Sequence, residues 1–278
     1  MFHVSNENNV ISHSYSYYLK QIDDNDATNL YHRLYIVELN KVVKFKRFFS
    51  ESFYCCFELC KKYDISKRSG LFVTRNPHDF KTNSYFWGKF GEQHYHFMYL
   101  NYEFESDPLI QYQNLCLYAM QIIKSLQFGG NCILKIDQLT QSAFISIVYV
   151  YKILFKEFTL EKPEISNPLN NDHYIVLKNY QGCPDKPQLL LRTLKCCLKS
   201  GEILSICKVP IDFMNIIEEF NIIAGRKTIE SLVKLQSSRR HVFLNDQINA
   251  CISWFKKYDF QNIDVEDREI QWKRNSNI

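Results

Sequence analysis

Cations interleaved with aromatic rings are the first residues in this chain whose types and spacing bear on chemistry. Lys41, Lys44, Lys46 and Arg47 alternate with Phe45, Phe48 and Phe49, and Lys61, Lys62, Lys67 and Arg68 follow closely. Ammonium and guanidinium groups at this density neutralise phosphates, and the rings between them stack bases. Lys44, Lys46, Arg47, Lys61 and Lys62 are therefore read as RNA-binding candidates. The competing reading is a solvated helix with its aromatics turned inward. A net charge of +4 permits nucleic-acid binding without demanding it, and no preference for DNA is readable.

Metal chemistry finds less support. His94 and His96 alternate like one face of a strand, and His78 is a conceivable partner, but nothing fixes a third ligand. The ten cysteines contain no C-x-x-C pair, so they are read as buried thiols rather than a zinc site, and no metal is expected. The polar start MFHVSNENN lacks a basic, apolar leader. The thiols are thus expected to be reduced, in the cytoplasm or nucleus, and the protein not secreted. The longest apolar run, Phe144 to Phe155, is broken by Lys152 and falls short of the roughly 20 residues a membrane span needs, so no membrane association is expected.

These residues need a frame, and with 46% hydrophobic and 15% aromatic residues the chain should fold. Residues 1–30 are polar and read as an arm. Phe53, Cys56, Phe57 and Cys60 recur at helical spacing over Ser52 to Tyr63, and Leu71 to Val73 forms a short strand, as does Phe97 to Leu100. Ser106 and Asp107 offer N-cap oxygens and Pro108 suits a first helical position, which predicts a helix running to Leu126 and ended by Gly129-Gly130. Cys132 to Ile136 reads as a strand, Thr140 as the cap of a helix running to about Phe155, and Phe158 to Leu160 and Tyr174 to Leu177 as further strands. Strand and helix alternating in this way indicate an α/β sheet with right-handed crossovers. Beyond Gly182 separate helices are expected at Leu189 to Leu198, Met214 to Ile223, Ile229 to Leu235 and Ile248 to Phe255. The organisation expected is an arm at 1–30, an α/β domain at 31–182, a helical appendage at 183–260 and a polar tail at 261–278.

Gly129 to Ile136 (GGNCILKI), Glu161-Lys162-Pro163 and Asn167 to Leu177 (NPLNNDHYIVL) resemble, in order and spacing, the second half of the FtsJ-like RNA ribose 2'-O-methyltransferases. Eukaryotic cap enzymes and relatives in large DNA viruses look most similar. The resemblance implies a Rossmann-like methyltransferase sheet. It also implies four residues converging on the target ribose: a lysine, an aspartate, a second lysine and a glutamate that lower the pKa of the 2'-hydroxyl for attack on the methyl of S-adenosylmethionine. Lys135 stands at the central lysine position. Cys56, in Phe53-Tyr54-Cys55-Cys56-Phe57-Glu58-Leu59, stands where the first lysine belongs. Asn101, after His96 to Leu100, replaces the aspartate, and Asp172 replaces the glutamate.

The resemblance also places a cofactor turn after the first strand. Asn76, Pro77, His78 and Asp79 occupy it, with both of the glycines that let backbone approach the ligand missing. The stretch from Pro77 to Asn101 is too short for the helix and two strands normally found there on crossovers of about a dozen residues, so the sheet is expected to be partly abbreviated. The leading expectation is a catalytically degenerate protein without cofactor that acts by binding. It would be an RNA-binding, regulatory or scaffolding component of mRNA capping, beside a catalytic capping or methyltransferase subunit, and poxvirus capping enzymes have a small subunit of this kind. The alternatives are an active S-adenosylmethionine-dependent cap or RNA 2'-O-methyltransferase that positions Lys135 with Asp137 or Asp172, and a protein-interaction module with no RNA role.

Overall fold

The computed structural model describes residues 49–65, 70–74, 80, 94–101, 107–136, 139–167, 172–183, 187–237, 249–250 and 253–260. The expectations for the arm, for Lys44, Lys46, Arg47, Asn76, Pro77, His78, Asp79 and Asp137, and for the tail lie outside these residues.

The first described element is α1 (Glu51–Lys62), with Glu51 in its first turn and Lys61 and Lys62 in its last, charges that complement the helix dipole. Every residue from Phe53 to Cys60 is buried, because the sheet packs against one side of this helix and residues 253–260 against another. β1 (Gly70–Val73) and β2 (Tyr95–Leu100) follow, then α2 (Pro108–Ser125), β3 (Leu126–Ile136), α3 (Ser142–Leu154), β4 (Phe155–Glu161), β5 (His173–Tyr180), α4 (Pro187–Ser200) and α5 (Ile211–Ser237). The five strands form one sheet in the order β1-β2-β3-β5-β4. β1, β2 and β3 run parallel, and β5 lies antiparallel between β3 and β4.

Strand parity sorts the side chains into two cores. Met98, Leu100, Cys132, Leu134, Ile136, Ile175 and Leu177 face one layer, where Leu190, Leu194 and Cys197 of α4 and Phe213 and Ile217 of α5 join α2 and α3. The alternate residues, Phe72, Phe97, Tyr99, Ile133, Tyr174 and Val176, face α1 and the segment carrying Trp254, Phe255, Tyr258 and Phe260. That second layer is predominantly aromatic. Phe57 meets Phe260 edge-on at 4.6 Å, and Phe72 stacks on Phe80 at 4.8 Å.

Asp107 caps α2 as expected, its carboxylate accepting from Leu109 N at 2.8 Å, with Pro108 in the first turn. The other end differs. Gly129-Gly130 do not stop the helix: α2 closes at Ser125, the Leu126 N–H bonds to Ile122 O, and the chain passes directly into β3. The glycines instead build an irregularity in β3, where Tyr95 pairs with Leu126 but Phe97 pairs with Asn131. Gly129 adopts φ +76° there, and a Cβ on Gly130 would lie 2.8 Å from Gln127 O. A turn glycine and a bulge glycine carry the same sequence signal. The cap of α3 is Gln141 rather than Thr140. Met214–Ile223 and Ile229–Leu235 are one helix, because the buried stripe Phe213, Ile217, Asn221, Ala224, Thr228 and Leu232 continues through Gly225 without a break. Among the described residues no helix is long and apolar enough to cross a membrane.

Candidate active site at the carboxyl edge of the sheet

In open α/β sheets ligands bind beyond the carboxyl ends of the parallel strands. Lys135 lies near that end of β3 and Asn101 immediately follows β2. Because β5 runs the other way, its start falls at the same edge: Lys135 pairs with Tyr174, and Asp172 directly precedes the strand. By parity Lys135 and Asn101 both project to the α1 face. Three of the four residues at family positions are thus gathered at one edge and beneath one helix.

Lys135 Nζ sits 2.8 Å from Asp172 Oδ1, with both side chains 17% exposed. Burial opposes the ammonium charge, but Asp172, and after it Glu51, more than offset that, so Lys135 is held above its ordinary pKa and stays protonated. Glu51 comes from the first turn of α1 and is anchored by the Asn167 N–H at 3.2 Å.

The next residue, Ser52, is the hub of a second network. Its hydroxyl lies 2.6 Å from Asn101 Nδ2, 2.9 Å from the Tyr99 hydroxyl and 3.3 Å from Thr74 Oγ1 at the end of β1. The Tyr99 hydroxyl in turn donates to Ser52 O at 3.0 Å. Asn101 is 5% exposed, and among the described residues its Oδ1 finds no donor.

Cys56 borders the Ser52 network rather than the Lys135–Asp172 pair: after burial it is the largest influence holding the Tyr99 hydroxyl above its usual range. It is fully buried, with its sulfur 4.0 Å from Cys60 Sγ, one turn further along α1. Its neighbour Cys55 lies nearer the charged pair, where burial and then Glu51 push the thiol well above its usual range, so it is a poor nucleophile. One turn on, Glu58 is 1% exposed and accepts from Glu164 N (2.8 Å), Ile165 N (3.1 Å) and Trp254 Nε1 (2.7 Å). It ties α1 to the turn after β4 and to the C-terminal segment. His94 and His96 are exposed at the opposite, amino-terminal end of β2. Of the RNA-binding candidates, Lys61 and Lys62 lie at the far end of α1. Lys61 sits over the Phe57 ring and Lys62 pairs with Glu161 at 2.8 Å.

Residues 98–180 match the sequence model of the FtsJ-like methyltransferases. The chain carries an FtsJ-like methyltransferase segment. The match starts in β2 and ends with β5, so it takes in Asn101, Lys135 and Asp172, while Glu51, Ser52 and Cys56 fall before it. A protein of African swine fever virus named as a probable methyltransferase is 37% identical over 79 residues, 28% of this chain and 19% of the relative. Its counterpart from a warthog isolate of the virus matches equally. A Drosophila melanogaster protein named as a cap-specific mRNA (nucleoside-2'-O-)-methyltransferase is 33% identical over 75 residues, 27% of this chain and 10% of the relative. The chain thus spans about a fifth of the viral relatives' length and a tenth of the fly protein's. The α/β order and the mostly parallel sheet agree with the FtsJ-like, Rossmann-like fold read from the sequence.

Glu51, Ser52, Tyr99, Glu58 and Trp254 escaped the sequence reading. Only Glu58 carried a signal, as a charged residue inside an otherwise apolar helical run. The others become visible only when α1 is laid across the strand ends.

Proposed function

We propose that this FtsJ-like chain is a degenerate ribose 2'-O-methyltransferase relative that binds RNA without methylating it, serving as a regulatory or scaffolding component of mRNA capping. The observation that carries the reading is the charge census at the strand ends. Activating a 2'-hydroxyl requires a cation beside the oxygen to favour its ionised form. Lys135 is the one cation among the described site residues. It is already bonded to Asp172 and lies in the field of Glu51, while Asn101 contributes a neutral amide. A protonated lysine neutralised by two carboxylates stabilises a developing alkoxide poorly. The test is transfer of radiolabelled methyl from S-adenosylmethionine to capped RNA, beside RNA binding measured against salt. Salt-dependent binding without transfer supports the proposal. Transfer that Lys135→Ala abolishes would overturn it.

One observation favours the second reading, an active enzyme. The buried Asn101 Oδ1 has no donor among the described residues, at the carboxyl edge shared by β1 and β2, and it fits the ammonium or a hydroxyl of S-adenosylmethionine. Asn101 would then hold that group, with Ser52 fixing the amide. The cofactor would supply an electrophilic methyl, and Asp172 would orient Lys135 toward the ribose oxygen. Saturable binding of the cofactor that Asn101→Leu removes is the outcome this reading requires.

A further inference from the structure

The last turn of α1 and residues 254–260 are the same structure built twice. Leu59 to Ile65 reads LCKKYDI and Trp254 to Phe260 reads WFKKYDF, sharing Lys-Lys-Tyr-Asp in register. Asp64 and Asp259 both take left-handed backbone, at φ 49° and 50°. Ile65 N bonds to Cys60 O and Phe260 N to Phe255 O, each at 2.9 Å, the six-to-one bond of a Schellman cap. The side chains repeat as well. Lys62 Nζ lies 5.7 Å from the Tyr63 ring and bonds Glu161 at 2.8 Å; Lys257 Nζ lies 5.2 Å from the Tyr258 ring and bonds Glu164 at 2.6 Å.

Lysines in the last turn of one helix need no function beyond complementing its dipole. Here two such ends converge. Among the described residues Lys61, Lys62, Lys257, Tyr258 and Asp259 line one cleft of about 430 Å³, with Glu161 and Glu164 paired to two of its three ammonium groups and Lys61 left as the cation outside an ion pair. The Lys257–Glu164 pair is exposed on both sides and weak enough to exchange for a phosphate, whereas Glu161, largely buried and bonded by Tyr63 as well, keeps Lys62 in place. Among the described residues no ion pair holds Lys61 or Lys256. The cleft opens at the end of α1 opposite Ser52, roughly 15 Å away at 1.5 Å per residue.

We propose that this twin-capped cleft binds the phosphodiester backbone of a single-stranded RNA, a few nucleotides from whatever nucleotide lies at the Lys135 edge. The inference rests on the RNA-binding reading above and adds to it the C-terminal segment as half of the site. α1 is then the spacer between the two points of contact.

The test uses the full chain and a short fluorescein-labelled single-stranded RNA. Lys61→Glu with Lys257→Glu is expected to weaken binding about tenfold and to flatten the dependence of log affinity on log salt by roughly 1.4, two single-strand phosphate contacts. Lys195→Glu with Lys199→Glu on α4, across the sheet, should leave both unchanged. Lys61→Gln with Lys257→Gln, which places no new carboxylate beside Glu164, should give the same direction with an unaltered thermal melt. RNA binding that survives both cleft variants overturns this inference and leaves the RNA reading standing. Absence of RNA binding in the unaltered protein overturns both. Displacement of the RNA by an acidic peptide at equal charge and equal concentration assigns the cleft to a protein partner and overturns it too.

Discussion

Trp254 donates its indole N–H to Glu58 at 2.7 Å, across 196 residues of sequence. This bond, with the two backbone N–H groups the same carboxylate accepts, locks the C-terminal segment to α1 and to the turn after β4. Burial raises the Glu58 carboxyl above its ordinary 4.5. A raised acid binds its proton more tightly folded than unfolded, so its contribution to stability is largest in acid and declines as pH rises from 4.5 through the raised value. Glu58→Gln should remove that slope. Trp254→Phe should cost about 1–3 kcal/mol by leaving a buried carboxylate short of a donor. Urea unfolding across pH reads both.

Lys135 responds with the same sign, at the alkaline end of the range. Its folded pKa lies above the ordinary value of 10.5, so its contribution to stability is complete below 10.5 and is lost as pH rises through the folded value. Asp172→Asn removes the largest opposing charge and should bring the ammonium down. Carbon or nitrogen NMR of labelled lysine over alkaline pH follows the single resonance that Lys135→Arg deletes.

Ser52→Ala strips the hub from the strand-end network. Asn101 Nδ2 loses its 2.6 Å partner and keeps only the longer 3.4 Å bond to the Tyr99 hydroxyl, while Oδ1 has no donor among the described residues. Destabilisation of about 1–3 kcal/mol is expected. Ser52→Thr, which keeps the hydroxyl, should cost less.

The two glycines of the β3 irregularity should differ in kind. Gly130→Ala forces a methyl to 2.8 Å from Gln127 O and from Leu126 Cδ1 and to 3.1 Å from His96 O, an overpacking cost of about 1–3 kcal/mol. Gly129→Ala meets nothing within 4 Å, and the left-handed backbone alone should cost about 1–2 kcal/mol. Either variant melting with the unaltered protein would contradict the strand geometry.

What could be read from the sequence and what could not divide along physical lines. Apolar runs located β2, β5 and α2 to within a few residues, because the strands are buried on both faces, but only the second half of β3, whose first five residues were read as the end of a helix and a turn. Lys135 and Asp172 were legible as family positions from the motif, though Asp137 was offered beside Asp172 as a partner for the lysine; the 2.8 Å pair comes from the adjacency of β3 and β5. Ser52 and Glu58 were not, since their partners lie 49 and 106 residues away and neither position breaks a local pattern in a way that names the partner. Gly129-Gly130 misled because a glycine pair marks any departure from regular backbone. The paired Lys-Lys-Tyr-Asp ends were in plain view but too short to count as a repeat until their identical caps gave them meaning.

The abrupt passage from α2 into β3 bears on how this chain can change length. The last turn of the helix fixes the direction of entry, and the pairing of Asn131 to Ile136 with both neighbouring strands fixes the far end. Moving one residue past Asn131 would turn Lys135 to the opposite face and drive Leu134 into its place. Gln127 to Gly130 is the slack between them, a slip joint with a spare length of chain. Insertions or deletions that accumulate there are absorbed before they reach the lysine, whereas the same change five residues later inverts the edge on which the chemistry would stand.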